Sequence, residues 1–88
     1  MHDCAEVYDP HSGRRMTLRT SEPGVQFYTG GYIAEGLAGK AGLRLGPCSG
    51  FTLETQKFPD SPNHPDFPSS LLRPGETYRH QMEFGFTA

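Results

Sequence analysis

Apolar and polar side chains alternate with the period of a β-strand through much of this chain. In residues 14–20, Met16, Leu18 and Thr20 alternate with Arg15, Thr17 and Arg19. In 25–29, Val25, Phe27 and Thr29 share one face, and Gln26 and Tyr28 share the other. In 50–56, Phe51, Leu53 and Thr55 oppose Thr52, Glu54 and Gln56. The longest alternation is 77–87, where Tyr78, His80, Met82, Phe84 and Phe86 oppose Arg79, Gln81, Glu83 and Gly85. Each run predicts a strand with one buried face, and one as long as the last predicts membership of a large sheet. Residues 5–9 read as a shorter strand. The turn Pro10-His11-Ser12-Gly13 predicts that 5–9 and 14–20 form a hairpin. Ser21-Glu22-Pro23-Gly24 and Arg73-Pro74-Gly75-Glu76 carry Pro and Gly as β-turns require.

Two segments break the alternation. Gly30-Gly31 ends the 25–29 strand, and the Gly-rich stretch 32–47 reads as a loop wandering over the surface. A short helix at 33–38 is the alternative there, weakened by Gly36 and Gly39. From 58 to 74 five prolines (Pro59, Pro62, Pro65, Pro68 and Pro74) exclude a central strand or an interior helix. So long a loop needs side-chain anchors, and Phe58 and Phe67 are the candidates. No internal repeat is visible. The expected class is all-β and antiparallel, with five strands whose apolar faces need a second layer.

Composition sharpens this. Hydrophobic residues make up 34 % of the 88, and the chain holds eleven Gly and eight Pro. That apolar share lies below the roughly 45–50 % of globular domains, a range that also counts Gly. Mean hydropathy is −0.60. The core is thin for an independent fold, and residues 1–88 are expected to be one partial domain. A net charge of −2, with Lys and Arg scattered, offers no field for nucleic acid. No run approaches the roughly 18 apolar residues of a membrane span, and the first residues lack the apolar stretch of a secretory signal. Cys4 and Cys48 alone make no disulfide framework and read as thiols of a reducing, cytoplasmic protein.

Candidate chemistry centres on Glu54. Turned into the core without a partner, its carboxylate would cost about several kcal/mol, so it faces either water or a polar pocket. If 25–29 and 50–56 are neighbours, Gln26, Tyr28, Glu54 and Gln56 share one face. Two amides, a phenol and a carboxylate suit a polyhydroxylated ligand, since amides and carboxylates bind hydroxyls and rings cover C–H faces. An ordinary solvated face is the alternative. Glycoside hydrolysis would need a second carboxyl, and Asp60 and Asp66 lie in turn contexts that favour local hydrogen bonding. His2, His11, His64 and His80 show no metal-type spacing. His80 reads as a core residue on the apolar face of the last strand, and His64 as a residue that fixes its loop.

Several blocks together resemble one family. They are Glu22-Pro23-Gly24-Val25-Gln26-Phe27-Tyr28-Thr29-Gly30, Leu53-Glu54-Thr55-Gln56, Phe58-Pro59-Asp60-Ser61-Pro62-Asn63-His64-Pro65, and Leu72-Arg73-Pro74-Gly75-Glu76 with Tyr78. In order and spacing they are similar to the C-terminal portion of the aldose 1-epimerase (galactose mutarotase) family. The resemblance implies a large antiparallel β-sandwich with a concave sugar site, of which this chain is a part. It implies interconversion of the α and β anomers of an aldohexose such as galactose or glucose, with no cofactor and no metal. Glu54 matches the family's general base and Gln26 a position that contacts the sugar. The family's acid, a histidine, belongs to portions not present here, so no histidine of this chain is assigned that role and the chain alone is expected to be inactive. Gly31 stands where many members have Asn. A non-catalytic sugar-binding module, and self-association through open sheet edges, are the other readings of the same residues.

Overall fold

The computed structural model describes all 88 residues. Seven strands form: β1 (His2–Tyr8), β2 (Arg15–Thr20), β3 (Gly24–Tyr28), β4 (Leu37–Ala38), β5 (Arg44–Leu45), β6 (Thr52–Gln56) and β7 (Met82–Thr87). Two single 3-10 turns, at Lys40–Gly42 and Ser61–Asn63, are the only helical pieces. The class is all-β, and every pairing is antiparallel. Strands β1-β2-β7 make one sheet, β3-β6 a second and β4-β5 a third.

The first sheet follows the alternation closely. Register places Val7, Met16 and Phe86 in one row and Ala5, Leu18 and Phe84 in the next. These rows form an apolar face. The opposite face carries Arg19 paired with Asp3 at 3.2 Å and with Glu83 at 3.5 Å, and Arg15 paired with Glu6. The hairpin turn is closed by Asp9, whose carboxylate accepts from the His11 N–H at 3.1 Å and from Ser12 Oγ at 2.6 Å. Leu18, at the centre of the apolar face, is 1 % exposed.

Three expectations need correction. The last strand does not run over 77–87. It begins at Met82, because its partner β2 ends at Thr20 and turns away. At that point the backbone of Gln81 is held instead by Ser21 and by Thr20 Oγ1. Residues 77–81 therefore leave the ladder, and His80 is an exposed residue off the strand rather than a core residue on its apolar face. Nor are the apolar faces of β7 and β3 buried within this chain: Met82, Phe84 and Phe86 are all exposed, as are Val25 and Phe27. Finally, 32–47 is not a structureless loop and contains no helix at 33–38. It folds back as the β4–β5 hairpin, with Gly36 at φ +79°, a left-handed value that interrupts helical geometry.

Candidate functional site

The site is built on the β3–β6 ladder. Gln26 pairs directly with Glu54, Tyr28 with Thr52, and Gly24 with Gln56. Side chains of directly opposed residues project from the same side of a sheet. Gln26, Tyr28, Thr52, Glu54 and Gln56 therefore share one face, and Val25, Phe27, Leu53 and Thr55 share the other. The alternation specified this register: a slip of one residue would put Glu54 among the apolar side chains.

On the polar face, Glu54 and Gln26 are both exposed. Thr52 Oγ1 donates to Glu54 Oε1 at 2.7 Å, which fixes the carboxylate's rotation and leaves Oε2 for another donor. Thr52 is a member of the site that strand parity did not single out. Its signal was the two-residue spacing from Glu54, which in a strand sets both on one side. Tyr28 OH accepts from the Tyr32 N–H at 3.2 Å, so the phenol is tied into the chain leaving the strand.

The other face is anchored by polar groups. Thr55, 7 % exposed, meets His80 with 2.6 Å between Oγ1 and Nε2. Glu22, just before β3, is buried. Tyr78 OH donates to its Oε1 at 2.7 Å, and Lys57 Nζ lies 3.1 Å from Oε2 as an ion pair without hydrogen-bond alignment. The Tyr78 hydrogen bond, with Lys57 adding its charge, holds the Glu22 carboxyl below its ordinary value, although burial opposes this. The same bond raises the Tyr78 phenol. Thr20 Oγ1 donates to the Gln81 carbonyl and accepts from the Glu22 N–H, each at 3.1 Å. Nothing in the sequence marked Glu22 as buried, because its turn context reads as surface.

The Pro-rich loop after β6 is held by its aromatic residues. Phe58 and Phe67 meet edge to face at 5.2 Å between ring centres, and His64 stacks on Phe67 at 4.6 Å. Asp60 sits in a left-handed turn and binds Asn63 Nδ2 at 2.6 Å and His64 Nε2 at 3.1 Å. Asp66 lies exposed in the following turn. The second carboxylate is thus engaged within its own loop. No group of three or more His, Cys, Asp or Glu side chains is gathered as metal ligands. Cys4 and Cys48 are free, and no helix is long and apolar enough to cross a membrane.

Comparison with known proteins gives one consistent result. A family model described as Aldose 1-epimerase matches residues 1–85. Galactose mutarotase of Rattus norvegicus is 50 % identical over 84 residues, covering 96 % of this chain and 25 % of that protein. Galactose mutarotase of Homo sapiens is 50 % identical over 86 residues, covering 98 % of this chain and 25 % of that protein. Aldose 1-epimerase of Escherichia coli (strain K12) is 34 % identical over 87 residues, 97 % of this chain and 25 % of that protein. The chain spans about a quarter of the length of these curated relatives.

Proposed function

Because the chain belongs to the aldose 1-epimerase family, we propose that it carries the proton-accepting half of the interconversion of α and β anomers of an aldohexose such as galactose or glucose. Glu54 is the general base and Gln26 binds the sugar. The observation that carries this is the direct pairing of Gln26 with Glu54 on the exposed polar face of the β3–β6 ladder.

The chemistry follows from what ring opening requires. The C1 hydroxyl must lose a proton while the ring oxygen gains one, so a base and an acid flank the hemiacetal. Glu54 Oε2 takes the C1 proton, and Thr52 holds Oε1. The acid delivers its proton to the ring oxygen, the bond between C1 and the ring oxygen breaks, and the deprotonated C1 oxygen becomes the carbonyl of an open-chain aldehyde. Rotation about C1–C2 and closure in the reverse sense give the other anomer. Both protons return, so no cofactor is consumed. The amide of Gln26 donates to and accepts from the hydroxyls of the same sugar. No histidine of this chain is assigned the acid role: His64 is engaged with Asp60 and Phe67, and His80 with Thr55. The free thiols fit a reducing compartment such as the cytoplasm.

Polarimetry of freshly dissolved α-D-galactose tests the reading. The 88-residue chain alone is expected to leave the rate at the buffer value. Grafted in place of the matching quarter of the rat relative, it is expected to support turnover, and Glu54→Gln in that graft to lower kcat by about 100- to 10,000-fold, the usual weight of a general base. Full turnover in the Glu54→Gln graft would remove Glu54 from the mechanism.

A further inference from the structure

We propose that His80 and Thr55 form a positioning pair that sets how the Glu54 carboxylate is presented, an inference that rests on the reading of Glu54 as the base. Thr55 follows Glu54 directly in β6, so the two side chains leave the strand on opposite faces. Fixing one side chain fixes the rotation of the strand about its own axis, and with it the direction of the next. Thr55 is nearly buried, and its hydroxyl lies 2.6 Å from His80 Nε2, which comes from a segment 25 residues away in sequence. By contrast Glu54 itself is exposed, and its carboxylate is held only by Thr52 within the same strand. Its orientation relative to the rest of the molecule must be set from behind.

His80 is suited to that task because its own segment is fastened at both ends. Two residues before it, Tyr78 OH binds Glu22, which also faces Lys57 just after β6. One residue after it, the Gln81 carbonyl accepts from Thr20 Oγ1 and the Ser21 N–H, its N–H donates to Ser21 Oγ, and β7 then pairs with β2. Residues 78–81 are thus a strap from the three-stranded sheet to the back of the β3–β6 ladder. Val25, the register partner of Thr55, places the pinned point on the row adjoining Gln26 and Glu54. The strap therefore holds both proposed sugar-contacting residues in one frame.

Amide hydrogen exchange by NMR on the complete 88-residue chain tests the pair. His80→Ala is expected to speed exchange of the β3–β6 amides about threefold to tenfold, the weight of one part-buried hydrogen bond, with the β1–β2 amides unchanged. The side-chain carbonyl resonance of Glu54 is expected to shift in the same variant. Thr55→Val should do the same, and the double variant no more than either alone. His80→Gln places an amide where Nε2 stood and is expected to restore both signals. Unchanged β3–β6 exchange in His80→Ala, equal acceleration in all sheets, failure of His80→Gln to rescue, or a native ladder exchanging at unfolded rates would each overturn the proposal. None of these readouts involves turnover, so the Glu54 assignment stands or falls separately by polarimetry.

Discussion

Glu22 is 1 % exposed and carries a charge, a combination that costs stability unless the charge is compensated. Tyr78 and Lys57 supply the compensation. The Tyr78–Glu22 hydrogen bond consequently ties folding to pH at two ends. Glu22 titrates below its ordinary value, so its contribution is complete above the normal carboxylate range and is lost as pH falls through the depressed folded value. Tyr78 titrates above its ordinary value near 10, so its contribution is complete below that value and is lost as pH rises through the raised folded value. Asp9, lowered chiefly by its Ser12 hydrogen bond, adds to the acid end only. Thermal melts across pH are expected to show Tyr78→Phe less stable at neutral pH, with a weaker alkaline loss than the parent. An unchanged alkaline limb would exclude Tyr78 as its source. At this scale the sequence was only partly informative. Glu54 and Gln26 could be singled out by strand parity, which is local. Glu22 and His80 could not, because the burial and bonding of Glu22 depend on a partner 56 residues away and the bonding of His80 on one 25 residues away.

Strands whose pattern runs over five or more residues were legible, and shorter ones were not. The β2, β3 and β6 alternations placed each side chain on the face where register finds it. The two-residue strands β4 and β5 carry too little alternation to be read, and only backbone bonds such as Gly39 N–H to the Leu43 carbonyl at 2.8 Å reveal them. The overextension of the last strand has a related cause. Tyr78 and His80 continue its parity, but their hydroxyl and imidazole bind Glu22 and Thr55, off the first sheet. Gly30-Gly31 breaks the alternation in the structure as in the sequence, and Gly30 shows why. Its φ is +76°, and a Cβ there would lie 2.6 Å from the Gly50 carbonyl oxygen. Gly30→Ala is expected to lose about 1–2 kcal/mol from the left-handed backbone alone, and more from the clash with main chain that cannot swing aside. A urea titration following Tyr28 and Tyr32 checks it. A midpoint equal to that of Gly30→Ala's parent would mean that the β3–β6 connection relaxes freely. Gly31→Ala, with open space around its added methyl, is the matched control and is expected to cost far less.

The whole molecule is more open than its length would give a closed domain. Its radius of gyration is 16.8 Å, against about 12 Å for a compact chain of this size. Its accessible surface is 6995 Å², against about 5,100 Å² for a compact protein of its mass. The difference, about 1,900 Å² on that scaling, is the size of a stable protein interface. The excess surface is apolar in large part: Met82, Phe84 and Phe86 lie along β7, and Phe27 and Phe51 meet edge to face on the back of the β3–β6 ladder. Strands β1 and β7 are both sheet edges, with unpaired backbone groups beside that apolar face. A net charge of −2 provides little repulsion between copies. The 88-residue chain by itself is therefore expected to bind an apolar dye such as ANS and to sediment with a concentration-dependent mass. Phe84→Lys with Phe86→Lys, which charges the apolar face of the edge strand β7 without touching the Gln26–Glu54 pair, is expected to suppress both signals. A monomer that ignores the dye at every concentration would mean that the chain closes over its apolar face in solution. The one-partial-domain reading of residues 1–88 would then give way to a self-sufficient fold, and the sugar site would have to be sought within this chain alone.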